Sequence, residues 1–399
     1  MDRRIRVTQV IYSFDVEGTG GGLSRFVIAL SQSLKQNEFD VTVCSLWNMG
    51  TPSEKKRIEQ LNAAGVRAFA ATDWDASKPT LSLWKSYQGL RGYLRKHPCE
   101  IVHSHSEFSD IVTLMTKFIP GVPFILRTLH NGFQVEWRKR YLRRLLLTNL
   151  LYPLVYNGEI GVSKHVVNNM NRRWLSQRLK HKAILIYNAI DTSRFAQIQH
   201  EVDKTTLRLG IPSDAYLVGT VGRLCEEKGY SILISAAEKV IQQIHNAYLV
   251  IVGAGELKES LQAHAKALHI DEHVIFTGPR SDIEILLSGM DLFVCSSLWE
   301  GLSTAVLEAM AAGVPVLATD IPGNRELITP EVNGWLVPAK DVNALAFGIL
   351  MIYQLSNQER QEVTSNARQA ALSYSIDAIA EQHSRYYQQL ISGRGIDNS

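Results

Sequence analysis

Cysteine is scarce in this 399-residue chain, and no two cysteines stand close enough in sequence to form a C-x-x-C pair. The scarcity argues against a zinc knuckle and against a redox motif. We therefore expect all four cysteines to be reduced packing residues. They are Cys44, Cys99, Cys225 and Cys295.

Long apolar runs are also missing: none approaches the roughly 20 residues that a membrane-spanning helix needs. The first residues, Met1-Asp-Arg-Arg-Ile-Arg-Val7, enter a strand pattern rather than a signal peptide. The hydrophobic content of 45% is enough for a sizeable core, and the length favours two domains. We expect a cytoplasmic enzyme of two domains.

The net charge is only +3, but the two halves of the chain carry opposite net charges. Residues 1–188 hold 27 Lys and Arg against 14 Asp and Glu, whereas residues 189–399 hold 15 against 25. Much of the basic excess lies in 137–156, an amphipathic pattern that fits either an ordinary surface helix or peripheral contact with an anionic leaflet on the inner face of the cytoplasmic membrane. The segment lacks interleaved aromatics along a groove, so no nucleic-acid partner is expected.

Apolar strand-like runs alternate with helical stretches throughout, which favours parallel sheets. We infer two Rossmann-like domains, with a boundary near Ile186-Tyr-Asn-Ala-Ile-Asp191. The runs are 6–12, 40–46, 101–105, 123–129 and 159–163 in the first half, and 216–222, 247–253, 273–278, 292–296 and 314–319 in the second.

Two carboxylates stand eight residues apart in Glu300-Gly-Leu-Ser-Thr-Ala-Val-Leu-Glu308, across a predicted strand-to-helix turn. Eight residues are slightly more than two helical turns, so both side chains can face one crevice. A carboxylate accepts two hydrogen bonds, which suits the vicinal hydroxyls of a sugar or ribose. The alternative interpretation is that Glu300 is an ordinary residue of the first helical turn and Glu308 a solvated surface residue.

Two cations meet in the loop after another predicted strand, at Arg223 and Lys228 between Gly222 and Gly229. A guanidinium fork and a mobile ammonium together suit a diphosphate without a metal ion. The alternative is two ordinary surface cations.

Glycine is concentrated in two turns. Gly18-Thr-Gly-Gly-Gly-Leu-Ser-Arg25 precedes an apolar helix and can bring amides close to a phosphate, although a plain loop-to-helix turn explains it nearly as well. Gly253-Ala-Gly255 lacks the third glycine of a dinucleotide fingerprint, and Glu256 follows at once. Glu256 can instead serve a base or ribose pocket.

Histidines lie at the ends of two predicted strands: His103 and His105 flank the end of one, and His130 follows the other. The carboxyl edge of a parallel sheet is where α/β sites form, but no third ligand accompanies the pair, so a metal site is not expected. A short D-x-D motif, Asp73-Trp-Asp75, lacks the expected strand context, and we interpret it as a solvated loop.

The motifs of the second half resemble glycosyltransferase family 4, a retaining family whose hallmark is the E-x7-E element. Order and spacing fit over roughly residues 5–390, strongly in the second half and more loosely in the first. Besides E-x7-E, the matching motifs are G-R-L-C-E-E-K-G at 222–229, L-V-I-V-G-A-G-E at 249–256, V-I-F-T-G at 274–278, A-A-G-V-P-V-L-A-T-D at 311–320 and G-N-R-E-L-I at 323–328.

The resemblance implies an α/β fold of the GT-B type, with two Rossmann-like domains facing across a cleft. It divides the chain into an acceptor-binding domain at 1–188, a nucleotide-sugar-binding domain at 189–373, and a C-terminal helix at 374–399 that packs back on the first domain.

The resemblance also implies site residues and a mechanism. A sugar would pass from a nucleoside diphosphate sugar, UDP favoured, to a hydroxyl of a glycan or lipid-linked acceptor with retention, in cell-surface polysaccharide or glycoconjugate synthesis and with no cofactor or metal. Ser303 stands where the family more often has glycine or proline, which leaves the donor sugar open. The implied residues are Arg223, Lys228, Glu300 and His130 as catalytic; Gly21, Gly22, Gly222, Glu256, Gly301, Leu302, Ser303, Thr304 and Glu308 as donor-binding; and Arg25 and His105 on the acceptor side.

Two other functions stay open on the sequence alone. One is a nucleotide-sugar-binding scaffold without activity, which intact Arg223, Lys228, Glu300 and Glu308 argue against. The other is a dinucleotide-dependent oxidoreductase, which the incomplete glycine motif argues against.

Overall fold

A computed structural model describes residues 4–15, 21–36, 39–130, 146–196 and 204–393. The chain forms two compact units. Unit 1 comprises Met1–Ala189 and Ile376–Ser399, and unit 2 comprises Ile190–Ser375. The chain thus leaves unit 1 near the boundary expected after residue 188 and returns to it near the one expected after residue 373.

Unit 1 is built on a seven-stranded parallel sheet in the order β3-β2-β1-β4-β5-β6-β7. The inner strands are apolar and buried on both faces, as parallel sheets covered by helices require. The strands are β1 Ile5–Ile11, β2 Phe39–Asn48, β3 Arg67–Asp73, β4 Ile101–Ser104, β5 Phe124–Leu129, β6 Gly158–Gly161 and β7 Ile184–Leu185.

The helices of unit 1 begin where the sequence supplies caps. Thr51 accepts a hydrogen bond from the amide of Glu54 at the start of α2, and Ser106 and Ser109 form a capping box at α4. The helices are α1 Gly21–Gln36, α2 Pro52–Ala63, α3 Pro79–Lys96, α4 Glu107–Thr116, α5 Tyr152–Val155, α6 Lys164–Asn171 and α7 Trp174–Leu179, with a π-helical turn at Leu147–Leu151.

Unit 2 has a six-stranded parallel sheet in the order β10-β9-β8-β11-β12-β13. From β8 the chain moves outward through β9 and β10, and from β11 it moves outward the other way. The point where the order reverses lies between β8 and β11, where open α/β sheets form their binding crevice. The strands are β8 Tyr216–Val221, β9 Ala247–Val252, β10 Val274–Gly278, β11 Leu292–Cys295, β12 Val316–Thr319 and β13 Trp335–Val337.

Helices of unit 2 pack their apolar faces on this sheet, and one final helix, α16, returns to unit 1 and packs against α1. The helices are α8 Ser193–Ala196, α9 Tyr230–Ile241, α10 Lys258–Ala267, α11 Ile283–Ser288, α12 Thr304–Ala312, α13 Pro322–Arg325, α14 Val342–Gln354, α15 Asn357–Leu372 and α16 Ile376–Ser392; short 3-10 turns span Lys204–Leu207 and Glu226–Lys228.

Three strands, β3, β7 and β13, lie outside the runs predicted from the sequence, although the two-residue β7 ends at the boundary expected near Ile186. Strand β3 reads Arg67-Ala-Phe-Ala-Ala-Thr-Asp73 and is rich in alanine, which has a low strand propensity; it pairs only with β2 at the sheet edge. Strand β13 is three residues long. The interpretation that Asp73 lies in a loop without strand context was therefore wrong, since Asp73 ends β3. Its side chain is exposed, as expected.

Candidate active site

Lys228 and Glu300 form the centre of the candidate site in unit 2. Lys228 lies in the loop after β8 and Glu300 in the loop after β11, and β8 and β11 are neighbours in the sheet. The ammonium of Lys228 donates a hydrogen bond to Oε1 of Glu300. These two loops flank the point where the strand order reverses, so the pair stands where a ligand of such a sheet is expected.

The ion pair is largely removed from solvent, with side-chain exposures of 18% for Lys228 and 11% for Glu300. Burial by itself disfavours the ammonium, but the attraction of Glu300 outweighs burial and raises the pKa of Lys228 above its usual value. Lys228 is therefore charged throughout the neutral range.

Hydrogen bonds to backbone carbonyls hold the two loops together. Ser296 Oγ donates to the carbonyl of Lys228 at 2.8 Å, and the amide of Leu298 donates to the carbonyl of Glu227 at 2.7 Å. Gly229 has a φ of +63°, and a Cβ there would lie 2.3 Å from the carbonyl oxygen of Ser296. Only glycine allows this approach, so the glycine that ends the G-R-L-C-E-E-K-G motif positions the lysine before it.

Sequence reasoning missed the residues that hold Glu300. Ser297 Oγ donates to Oε1 of Glu300 at 2.8 Å, and Thr319 Oγ1 donates to the carbonyl of Ser297 at 2.5 Å. Asn324, which is fully buried, donates through Nδ2 to the carbonyl of Thr319 at 2.9 Å. The available signal was a polar residue at or just after the end of each of two apolar strands, Ser297 after β11 and Thr319 at the end of β12, whereas Asn324 lies on α13.

Arg223 does not join the ion pair. Its side chain is exposed and reaches Oε1 of Glu227 at 3.4 Å. Burial by itself lowers the pKa of Arg223, but the neighbouring Cys225 and Glu227, and to a smaller extent the exposed Glu256 in the next loop, outweigh burial and raise it. Arg223 thus offers a solvent-facing guanidinium on the same loop as the partly buried ammonium of Lys228.

The glycines at 253 and 255 serve the contact between two loops. A Cβ at Gly253 would lie 2.0 Å from the carbonyl of Gly222, and one at Gly255 would lie 2.3 Å from that of Leu224. Neighbouring backbone therefore occupies the space beside both glycines. This packing explains why the turn contains glycines, so a bound dinucleotide is not needed to account for them.

The segment that follows Glu300 leads into α12. Gly301, Leu302 and Ser303 are buried, and Ser303 takes the cap position without a side-chain hydrogen bond to the helix. Amides at the start of α12 therefore lack a side-chain cap, which favours a negative group there. Thr304 opens the helix and Glu308 lies one turn later, half-buried.

In unit 1, α1 begins at Gly21, whose φ is +51°, followed by an exposed Gly22 and a half-buried Arg25. Ser24 Oγ donates to the carbonyl of Ser13 at 2.7 Å, which fixes the first turn of α1 to the loop after β1. The preceding glycines at 18 and 20 lie outside the described residues.

A hydrogen-bonded chain of side chains crosses unit 1 at the carboxyl ends of β1, β4 and β5. His130 Nδ1 lies 2.8 Å from Asn188 Oδ1, and His130 Nε2 lies 3.3 Å from His105 Nδ1. His105 Nε2 continues to Gln9 Oε1 at 2.7 Å, and Gln9 Nε2 donates to Tyr387 Oη at 3.1 Å. The structure thus brings the predicted His105 and His130 together.

Burial determines the protonation state of the histidines in this cluster. Burial lowers the pKa of His130 to about 4 and that of His383, on α16, to about 3. It also lowers the pKa values of His103 and His105 well below the usual range. All four imidazoles are neutral at pH 7. Gln9, His383 and Tyr387 were missed because a sequence reading does not join residues so far apart.

The structure also bears on the predictions for cysteine, metal binding and the basic segment 137–156. All four cysteines are free and buried, which confirms them as packing residues. Among the described residues no cluster of three or more His, Cys, Asp or Glu could hold a metal ion. Of the basic segment 137–156, residues 137–145 lie outside the described residues; the rest forms the π-helical turn and α5. The described residues contain no helix that is long and apolar enough to span a membrane.

Residues 20–194 match the family model described as Glycosyltransferase Family 4, and residues 203–370 match the model described as Glycosyl transferases group 1. The chain belongs to glycosyltransferase family 4. A relative from Escherichia coli, UDP-Gal:alpha-D-GlcNAc-diphosphoundecaprenol alpha-1,3-galactosyltransferase, is 28% identical over 83% of this chain and 84% of its own length. The phosphatidyl-myo-inositol mannosyltransferase of Mycolicibacterium smegmatis is 24% identical over 96% and 93%.

Solved structures confirm the fold class. HepE from Anabaena, in complex with UDP and glucose, has a TM-score of 0.79 at 20% identity and covers 97% of this chain and 100% of its own. Sucrose-phosphate synthase from Thermosynechococcus elongatus has a TM-score of 0.81 at 21% identity and covers 98% and 100%. The two parallel-sheet α/β units are those of the GT-B fold, and the predicted enzyme class, a hexosyltransferase-type glycosyltransferase, is confirmed.

Proposed function

We propose that this family 4 enzyme transfers a hexose from a UDP-sugar to a hydroxyl of a lipid-linked or glycan acceptor, with retention at the anomeric carbon. The observation that carries the proposal is the partly buried Lys228–Glu300 pair between the two central loops of unit 2. It offers a cation for phosphate and a carboxylate for sugar hydroxyls within one hydrogen bond of each other.

Each side chain has a role that follows from its chemistry. Arg223, exposed on the same loop as Lys228, and the uncapped amides of α12 stabilise the negative charge that develops on the departing diphosphate. Glu300 and the backbone from Gly301 to Thr304 hold the sugar, and Glu308 holds the ribose. A diphosphate oxygen accepts the proton of the acceptor hydroxyl, so no protein nucleophile and no metal ion take part.

The choice of substrates is supported by relatives. The Escherichia coli relative is named for UDP-Gal and a diphosphoundecaprenol acceptor, and the mycobacterial one for a phosphatidylinositol. HepE was solved with UDP. These names favour a UDP-sugar donor and a lipid-linked acceptor for this chain, in cell-surface polysaccharide or glycoconjugate synthesis.

We also propose peripheral contact with an anionic membrane surface through 137–156. In its described part, Leu146, Leu151 and Leu154 are exposed. The neighbouring helix α7 adds an exposed Trp174 and the exposed cation Arg178. Exposed apolar side chains beside cations suit the headgroup region of a bilayer, where a lipid-linked acceptor resides.

Calorimetric titration of UDP, GDP and ADP in the presence of EDTA tests the donor site. We expect the wild type to bind UDP, and we expect Arg223→Ala and Lys228→Ala each to weaken binding by tenfold or more, about 1.4 kcal/mol. Arg385→Ala, which removes an exposed arginine paired with Glu381 in unit 1, is the matched control and should bind as the wild type does.

The outcomes separate the candidate functions. If the wild type binds none of the nucleotides, the donor site is wrong. Binding without transfer to any acceptor would favour the scaffold. When transfer occurs, the anomeric configuration of the product, read by NMR coupling constants, tests retention.

A further inference from the structure

The Lys228–Glu300 ion pair places the two groups proposed for the donor in contact with each other before any donor is bound. Lys228 is assigned to the diphosphate and Glu300 to the sugar, yet in this structure each is the other's partner. A diphosphate that recruits Lys228 therefore competes with Glu300 for the same ammonium.

Taking one partner away from such a largely buried pair is costly. A nucleoside diphosphate without a sugar draws Lys228 away and leaves the Glu300 carboxylate beside new negative charge. Of its other described donors, only the neutral Ser297 hydroxyl remains, at 2.8 Å. Sugar hydroxyls relieve this penalty, because they donate hydrogen bonds to the carboxylate at the moment that the ammonium turns to phosphate.

We infer that the Lys228–Glu300 pair couples recognition of the two halves of the donor, so that the enzyme discriminates the intact nucleotide sugar from the free nucleotide. The inference rests on the proposed function, whose donor site it uses. The Ser297 hydroxyl, supported by Thr319 and Asn324, keeps Glu300 in place while Lys228 changes partner. The device favours release of the nucleotide product once its sugar has been transferred.

The decisive variant is Glu300→Gln, which keeps the size of the side chain and removes its charge. Calorimetry would measure the Kd of UDP and of a panel of UDP-glucose, UDP-galactose and UDP-N-acetylglucosamine for the wild type and for the variant. Glu284→Gln is the matched control, because it neutralises a partly buried glutamate, paired with Arg194, elsewhere in unit 2.

We expect Glu300→Gln to bind UDP about tenfold more tightly than the wild type, a change of about 1.4 kcal/mol. The advantage of a UDP-hexose over UDP, present in the wild type, should disappear in the variant. Glu284→Gln should show the wild-type values. Unchanged or weaker UDP binding by folded Glu300→Gln, or the absence of any wild-type preference for a UDP-hexose, overturns the inference.

A measurement on the wild type alone covers the case in which Glu300→Gln does not fold. Coupling is reciprocal, so a free hexose that engages Glu300 must tighten UDP binding. UDP would be titrated with each hexose of the panel at high concentration, and with the same concentration of glycerol as the control. If no hexose tightens UDP binding, coupling is absent, whereas a wild type that binds no nucleotide at all contradicts the proposed function itself.

Discussion

Gly229 is a single backbone position on which the geometry of the proposed donor site depends. It combines a φ of +63° with an approach that would place a Cβ 2.3 Å from the carbonyl of Ser296. We predict that Gly229→Ala costs about 1–3 kcal/mol of unfolding free energy, because the left-handed conformation is strained and the two loops must separate. It should also weaken UDP binding, since Lys228 moves with the loop.

Gly92→Ala is the control for this prediction. Gly92 lies within α3 and has no positive φ, and among the described residues no heavy atom outside the backbone of its own helix lies within 4 Å of a Cβ position. Alanine there should stabilise the protein by roughly 0.5–1 kcal/mol through helix propensity. Urea unfolding of both variants, with UDP titration, checks the pair; equal effects at the two positions would contradict the role given to Gly229.

At the scale of elements, four charged side chains form a buried network in unit 1. Arg127 on β5 pairs with Asp110 on α4 at 2.9 Å and with Glu159 on β6 at 3.2 Å, and Arg173 also pairs with Glu159. Arg173 Nη1 donates to the carbonyl of Thr148 at 3.0 Å. The network therefore fastens the π-helical turn to the sheet.

The two carboxylates of this network should respond differently to neutralisation. Burial raises the pKa of Asp110 to about 6 despite Arg127, whereas at Glu159 the two arginines outweigh burial and lower the pKa. We predict that Glu159→Gln costs about 3–5 kcal/mol, because the buried Arg173 loses the carboxylate with which it pairs and Arg127 loses one of its two. Asp110→Asn should cost less, under about 2 kcal/mol. Urea unfolding at pH 7 measures both, and the reverse order would contradict this account.

The histidine cluster makes unit 1 sensitive to acid. Burial lowers the folded-state pKa values of its four imidazoles below those of the unfolded chain. The folded-state pKa is about 4 for His130 and about 3 for His383. The unfolded chain therefore binds more protons below its own pKa of about 6.5, and stability that is present above that value is lost as the pH falls. Between its folded-state and unfolded-state pKa values, each imidazole changes the free energy of unfolding by about 1.4 kcal/mol per pH unit.

We predict that the free energy of unfolding declines steeply between pH 6.5 and about 4, and that His383→Leu removes one proton from the uptake on unfolding. His383 is suitable because its Nδ1 has no hydrogen-bond partner among the described residues. Unfolding curves measured across this pH range, for the wild type and the variant, give the two proton counts. Equal counts would show that His383 is already protonated in the folded state.

At the scale of the whole molecule, unit 1 is discontinuous in sequence. Helix α16 carries Ile379, Tyr386 and Tyr387 into its core, all at most 2% exposed. A Cβ at Gly158 would lie 2.0 Å from Tyr386 Oη, so β6 has a glycine where this tyrosine packs.

We predict that a chain ending at Ser375 retains a folded unit 2 but not a folded unit 1. Three large buried side chains are each worth about 1.5–3 kcal/mol, which together approach the whole stability of a domain. Limited proteolysis with mass spectrometry should find protection only within residues 190–375. A chain ending at Gly393 keeps α16 and serves as the control; equal protection of unit 1 in both chains would contradict the prediction.

Much of this architecture could be predicted from local sequence. Apolar runs bounded by polar or glycine residues predicted all of the longer central strands, since a parallel sheet covered on both faces needs them. Strand β3 escaped because edge strands tolerate alanine and partial exposure, and β13 because three residues carry too little pattern. The site was predicted in part, through the charged residues of E-x7-E and of the loop after β8.

The sequence by itself determined the two parallel-sheet units and the residue types of the candidate site, because periodicity and motif spacing are local properties. Only the tertiary structure decided that Lys228 and Glu300, 72 residues apart in sequence, share a hydrogen bond, that Ser297 holds the carboxylate, and that His105, His130 and Gln9 form one chain. The contacts between residues distant in sequence arise where neighbouring strands end at one sheet edge. Strand order sets them, and strand order depends on how all the elements pack rather than on any one segment.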